Sequence, residues 1–246
     1  MDPAYITYAN YVDSFLESEE IEKFKSNQNY TYMLEHVDLL QGNAYLDYLE
    51  RDTKITSEDI CTFSSLNDSI GKPNKETFKI GILSPSNLRY LFHAHLILTH
   101  MQNLGKRSPH IVEVGGGYGG LCLAINFLCN RYSVKPQSYT IIDLEPASKL
   151  QKKFLNKFTL VFPTFFELSD TYGKDIPFTD MFLISNYCFS EISKKNQIGY
   201  INNLFSKCKN GFMAWNFIPV YDFGFEMHIE TEYPMTGNEF SKYVWF

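Results

Sequence analysis

Along the first sixty residues, apolar side chains recur at helical spacing. Tyr11, Phe15, Ile21 and Phe24 fall among acids and lysines, and Tyr30, Met33, Leu34, Val37, Leu40, Tyr45, Leu46 and Leu49 form a second series. Positions three and four apart share a helix face, so both stretches predict amphipathic helices, with Gly42 breaking or capping the second. From 64 to 85 (SSLNDSIGKPNKETFKIGILSP) the periodicity lapses among Gly, Pro, Asn and Asp, which predicts a long loop. Ser84 followed by Pro85 then signals a helix start, with the helix running to Gly105.

After Pro109 short apolar runs alternate with helical patterns. HIVEV (110–114), SYTIID (138–143), TLVFPTF (159–165), DMFLISN (180–186) and GFMAWNF (211–217) read as strands. Helices fill 119–130, the segment PASKLQKKFLNKF and about 193–207. FEMHIET (225–231) and SKYVWF (241–246) resemble two further strands joined through a Pro-Met-Thr-Gly turn. This order predicts an α/β fold: a mostly parallel sheet with helices on both faces, behind an N-terminal helical region. Residues 1–83 form that helical region and its loop, and 84–246 the sheet domain.

Composition narrows the class. The chain has 246 residues, 44% of them hydrophobic and 20% charged, as in ordinary globular proteins. With 22 basic against 28 acidic residues the net charge is −6, and no basic block stands out, which argues against a nucleic-acid-binding protein. Five cysteines (61, 122, 129, 188, 208) include no CxxC pair, so neither a disulfide framework nor a zinc ribbon is expected. A reducing, cytoplasmic setting is the default for such a chain. The N-terminal MDPAYITYANYVDSF lacks a signal peptide's apolar stretch, and no apolar run approaches the ~18–20 residues of a membrane span.

The chemistry concentrates where Ile111-Val112-Glu113-Val114 runs into Gly115-Gly116-Gly117-Tyr118-Gly119-Gly120. A strand that meets a glycine turn opening a helix lets a ligand approach backbone and free N–H groups. Gly115, Gly117 and Gly120 satisfy the dinucleotide fingerprint GxGxxG. Gly115, Gly117 and Gly119 satisfy the GxGxG of S-adenosylmethionine (SAM) enzymes equally well. Glu113 favours SAM, because a carboxylate there suits an ammonium and a sulfonium and repels a pyrophosphate. Asp143, ending the next strand, suits the ribose hydroxyls that SAM and NAD share.

At these residues the sequence resembles class I SAM-dependent methyltransferases, and more narrowly the sugar O-methyltransferases. The resemblance spans most of the chain. It is carried by YMLEHVDLLQGNAYL (32–46), NDSIGKP (67–73), SPSNLRYLFHAHLI (84–97), IVEVGGGYGGL (111–121), YTIIDL (139–144) and SNYCFSEI (185–192). It implies a seven-stranded Rossmann-like sheet with one antiparallel strand, methyl transfer from SAM to a sugar hydroxyl, and fused or associated glycosyltransferase modules as possible partners. It places Glu113, Gly115, Gly117 and Asp143 at the SAM site, with Tyr118, Gly119 and Leu144 beside them. Asn186 and Tyr187 fall at the methionine end, and Asp68 and Arg89 on the acceptor side.

Methyl transfer to a hydroxyl needs alignment and a way to remove a tightly held proton. Glu191, Asp222 and His228 are the candidate bases, although FEMHIET alternates like a half-exposed strand with His228 on its polar face. His95 or His93 could face the acceptor, while His93, His95 and His100 are not spaced to chelate one ion together. Glu191, Asn186 and Asn216 form an alternative oxygen set for a divalent metal. Tyr187, Tyr221, Phe223 and Tyr233 lie near strand ends, where a carbohydrate acceptor could stack.

Overall fold

The computed structural model describes residues 3–16, 18–237 and 239–246. The chain opens with α1 (Pro3–Leu16), a 3-10 segment (Glu19–Ser26), α2 (Gln28–Thr31), α3 (Leu39–Asp52) and α4 (Ser57–Asn67). Capping boxes start two of these helices. The Asp38 side chain accepts from the Gln41 N–H ahead of α3, and Thr56 from Asp59 ahead of α4, with reciprocal bonds back to each cap. Gly42 neither breaks nor caps α3 but lies inside it. A Cβ there would come within 2.7 Å of the Phe78 ring, so the glycine permits close packing.

The stretch expected to be a long loop is partly ordered. Residues 64–67 finish α4, and β1 (Glu76–Phe78) pairs with β2 (Gly81–Leu83) in a hairpin. Helix α5 (Pro85–Asn103) follows with Pro85 in its first turn, as the sequence predicts. No side-chain bond comes from its N-cap, Ser84. Asp68 does that work: Oδ2 accepts from the Ser84 N–H at 3.1 Å and Oδ1 from Asn87 Nδ2 at 2.8 Å.

The sheet domain continues as β3 (His110–Val114), α6 (Gly120–Leu128), β4 (Ser138–Asp143), α7 (Glu145–Leu155) and β5 (Thr164–Leu168). After it come β6 (Met181–Asn186), α8 (Lys194–Asn203), β7 (Cys208–Trp215), β8 (His228–Thr231) and β9 (Lys242–Trp245). Two strands start later than their apolar runs suggest. The exposed Val161 gives its N–H to Asn126 and Pro163 has none to give, so β5 begins only at Thr164. Phe225 stacks on Phe246 with centroids 4.3 Å apart, which leaves His228 to open β8.

Seven strands pair in the order β5-β4-β3-β6-β7-β9-β8, and only β9 runs against the rest. Alternation along each strand sorts the core into two layers. Ile111, Tyr139, Ile141, Ile184 and Phe212 pack with α5, α6 and α7. Val112, Val114, Ile142, Leu183 and Trp215 face α8 and the last loops. The N-terminal helices belong to the first layer. Phe24 and Tyr30 contact Tyr118 of the glycine turn, and the Lys153 amine of α7 donates to the Leu16 carbonyl of α1. Helices α1–α4 therefore share one continuous core with the sheet.

This is a Rossmann-like sheet, with the one reversed strand that the resemblance implies. A dinucleotide fold ends in three parallel strands, 4-5-6. Here the corresponding edge carries an antiparallel hairpin. Strand order reverses between β3 and β6, which creates a crevice at the carboxyl ends of the strands.

Candidate active site

The crevice begins at the glycine turn. Gly115 has φ +79° and lies against Cys188, so a side-chain carbon there would overlap the cysteine Cβ and Sγ. Gly119 (φ +98°) is the N-cap of α6 and packs against Leu155. The other half of the expected turn chemistry is absent. Tyr118 is fully buried and points into the N-terminal core, where its hydroxyl accepts from Asn67 Nδ2 at 2.8 Å and its face covers Lys25 Nζ at 4.2 Å.

Glu113 is buried beneath this turn, and no Lys or Arg of the described residues pairs with it. Its Oε2 accepts from the Tyr139 hydroxyl at 2.9 Å, and a Cβ on Gly116 would come within 3.0 Å of the same oxygen. Burial pushes its carboxyl up to about 8, and nearby Asp143 adds to the rise. Burial thus favours the neutral form of Glu113, which is hydrogen-bonded to Tyr139 beneath the turn.

Asp143 ends β4 with its carboxylate in a nest of donors. Oδ2 accepts from the Gly116 N–H (2.9 Å) and Gln151 Nε2 (2.8 Å), and Oδ1 from the Leu144 N–H (2.8 Å). Burial raises its pKa to about 6 against the lowering effect of these donors. The Gly117 N–H is a fourth donor that favours the ionised carboxylate. Gln151 is fully buried; its Nε2 also donates to the Gly117 carbonyl, while its Oε1 has no partner. An orphaned acceptor beside Asp143 is what an absent polar ligand leaves behind.

Across the crevice, β6 delivers Asn186 and Tyr187. Asn186 Nδ2 lies 3.0 Å from His93 Nδ1, and its Oδ1 is buried without a partner. Tyr187 turns the chain at φ +53°, giving its N–H to the Ala214 carbonyl and its hydroxyl to Glu232. Four residues on, Glu191 accepts from Asn216 Nδ2 (2.6 Å, at Oε1) and from the Tyr5 hydroxyl (2.5 Å, at Oε2). Glu191 lines a cleft of about 490 Å³ with Tyr5, Ser190, Lys194, Phe217 and Tyr221. Phe217 is 60% exposed, and Lys194 Nζ sits 3.5 Å from the centroid of the Tyr221 ring.

Several expected site residues lie elsewhere or do other work. His228 is exposed on the sheet's edge strand, 2.9 Å from Glu230, because β8 pairs on one side only. Asp222 is exposed and closes a turn by accepting from the Gly224 N–H. His95 is packed behind α5, its Nδ1 2.6 Å from the Tyr132 hydroxyl, and burial lowers its pKa to about 4. Asp68 is spent on the start of α5. Phe223 is buried, stacked on Trp215, and Tyr233 sits beside Tyr48. The oxygen set Glu191, Asn186 and Asn216 does not converge. Asn186 is turned to His93, and Asn216 divides its amide between Glu191 and Ser190. Among the described residues no three His, Cys, Asp or Glu side chains gather as metal ligands.

The cleft also holds residues that sequence reasoning did not single out. Phe217 directly follows Asn216 at the end of β7, so strand-end position could have signalled it. Tyr5 is 186 residues from Glu191, and only the packing of α1 brings the two together.

No protein-family model matches the chain, and no curated protein is similar to it. Solved structures are similar in shape. The methyltransferase domain of a bacterial Hen1 is 10% identical, with 62% of this chain and 95% of that one covered, at a TM-score of 0.44. TrmK of M. capricolum, solved with S-adenosylhomocysteine, is 14% identical over 60% of this chain and 65% of that one, at 0.38. A structure concerned with converting a disulfide into a thioacetal in echinomycin biosynthesis is 15% identical, at 0.36. That match covers 47% of this chain and spans about half (48%) of the other protein's length. Among the described residues no helix is long and apolar enough to cross a membrane.

Proposed function

We propose that this chain is a SAM-dependent O-methyltransferase whose acceptor is a carbohydrate hydroxyl. The observation that carries the reading is the cleft at the ends of β6 and β7. There the Glu191 carboxylate, which accepts from Tyr5 and Asn216, faces exposed aromatic surface just after Cys188, the residue that abuts Gly115. Its volume falls within the ~300–1,000 Å³ typical of small-molecule sites.

The residues at the switch point fit a nucleoside donor. Asp143 ends β4 beside the glycine turn, and the orphaned Gln151 Oε1 lies next to it as a buried acceptor for a ligand hydroxyl. When bound, SAM supplies an activated methyl on a good leaving group. Glu191 then takes the acceptor proton. Phe217 and Tyr221 offer faces on which the apolar side of a sugar ring can stack. The dispersed amides do not fit a divalent ion, so no step is assigned to one.

The test is transfer of labelled methyl from SAM to a panel of glycans, sugar nucleotides and phenols. A carbohydrate product is expected, with Glu191→Gln lowering turnover about 10²- to 10⁴-fold. Methylation of phenols alone would overturn the acceptor class.

A further inference from the structure

The Arg89 side chain poses a problem that the proposed acceptor chemistry does not solve. It sits in the first turns of α5, 6% exposed, and makes no ion pair among the described residues. One guanidinium contact is a hydrogen bond, Nη2 to the Leu34 carbonyl at 2.8 Å. Glu35 acts on it from beyond ion-pair distance; its Oε2 accepts from the Ser84 hydroxyl at 3.3 Å and its Oε1 is buried without a partner. A buried cation with no ion-pair partner is costly unless an anion joins it.

Its surroundings say where that anion would be. The guanidinium carbon is 5.7 Å from the ring centroid of Tyr187, at the exit of β6, and 6.0 Å from that of Tyr90. Tyr90 packs on Gly120, and Leu34, whose carbonyl Arg89 holds, packs on Gly117. One helical turn further along the same face of α5 comes His93. The Asn186 amide donates to His93 Nδ1, which places the ring proton on Nε2, a buried donor without a partner. The Arg89 guanidinium and the unpartnered His93 Nε2 thus line one seam between α5 and the β6 exit, beside the glycine turn.

We propose that Arg89 is a donor-side residue that binds the carboxylate of the methionine end of SAM through its guanidinium fork. The inference rests on the SAM reading above and moves Arg89 from the acceptor side, where the family resemblance placed it. Arg is suited to this because its planar donors match both carboxylate oxygens at once.

The test compares S-adenosylhomocysteine with its decarboxylated analogue, by calorimetric titration at pH 7.5, in wild type, Arg89→Gln and Arg89→Lys. Wild type should bind the carboxylated ligand at least about tenfold more tightly. R89Q should lose that preference and bind both ligands as wild type binds the analogue, and R89K should fall between. The wild-type comparison needs no variant, so it holds even if R89Q fails to fold. A wild type that binds both ligands equally, or an R89Q protein that keeps the preference, would overturn the proposal and leave the SAM reading intact. A wild type that binds neither ligand would bring both down.

Discussion

Replacing Glu113 by Gln tests the buried acid beneath the glycine turn. Glu113 is 2% exposed, hydrogen-bonded to Tyr139, and its pKa stands at about 8 against an ordinary 4.5. The sign follows from proton linkage. Below pH ~4.5 folded and unfolded chains both hold the proton, so the full stability is present. Between pH ~4.5 and ~8 the unfolded chain releases it and the folded one keeps it, so stability falls as pH rises; above ~8 the loss is complete. Each pH unit in that window is worth about 1.4 kcal/mol, which sums to roughly 4–5 kcal/mol for this one group. Gln cannot ionise, and its carbonyl can still accept from Tyr139. Urea denaturation followed by circular dichroism at pH 5, 6, 7, 8 and 9 gives the stability difference between E113Q and wild type. That difference should move in favour of Gln by about 1.4 kcal/mol per unit up to pH 8, then level off. A difference independent of pH would mean that Glu113 is ionised throughout, and the reasoning from its burial would be refuted.

Three further perturbations follow from the same geometry. Gly115→Ala forces a side chain into left-handed backbone and onto Cys188, and should cost about 2–5 kcal/mol in denaturant unfolding. The overlap part of that cost should return when the substitution is made in a Cys188→Gly background; equal losses in both backgrounds would disprove the packing. Tyr5→Phe removes one of the donors to Glu191 and should reduce acceptor turnover by about tenfold while S-adenosylhomocysteine affinity stays unchanged, which steady-state kinetics and calorimetry can separate. His228→Ala and Asp222→Ala should leave turnover within about twofold of wild type, because neither side chain lines the cleft; a larger loss from either would reopen its role.

Much of the fold was legible because periodicity and turn chemistry are local. The strand-turn-helix at 110–128, the acid ending the next strand and the Ser84-Pro85 helix start each reveal themselves within a few residues. Strand starts were less legible, because Pro163 and Phe225 act through neighbours that the run of apolar letters does not show. The site divides in the same way. Position at or just past a strand end brings Asp143, Asn186, Glu191 and Asn216 to the carboxyl end of the sheet. The state of a charged group depends on what surrounds it, and that is tertiary information. Glu113 and Asp68 look alike as acids near motifs, yet one is hydrogen-bonded to Tyr139 beneath the glycine turn and the other to Ser84 and Asn87 at the start of α5. The burial of Arg89 is likewise visible only in the folded chain.

The account's central claim is that the crevice between β3 and β6 binds the nucleoside of a methyl donor and not a nicotinamide dinucleotide. Calorimetric titration of the intact protein with S-adenosylhomocysteine and, separately, with NADH decides between them. One S-adenosylhomocysteine per chain with no heat from NADH is the predicted result; saturable NADH binding with none of S-adenosylhomocysteine would contradict it.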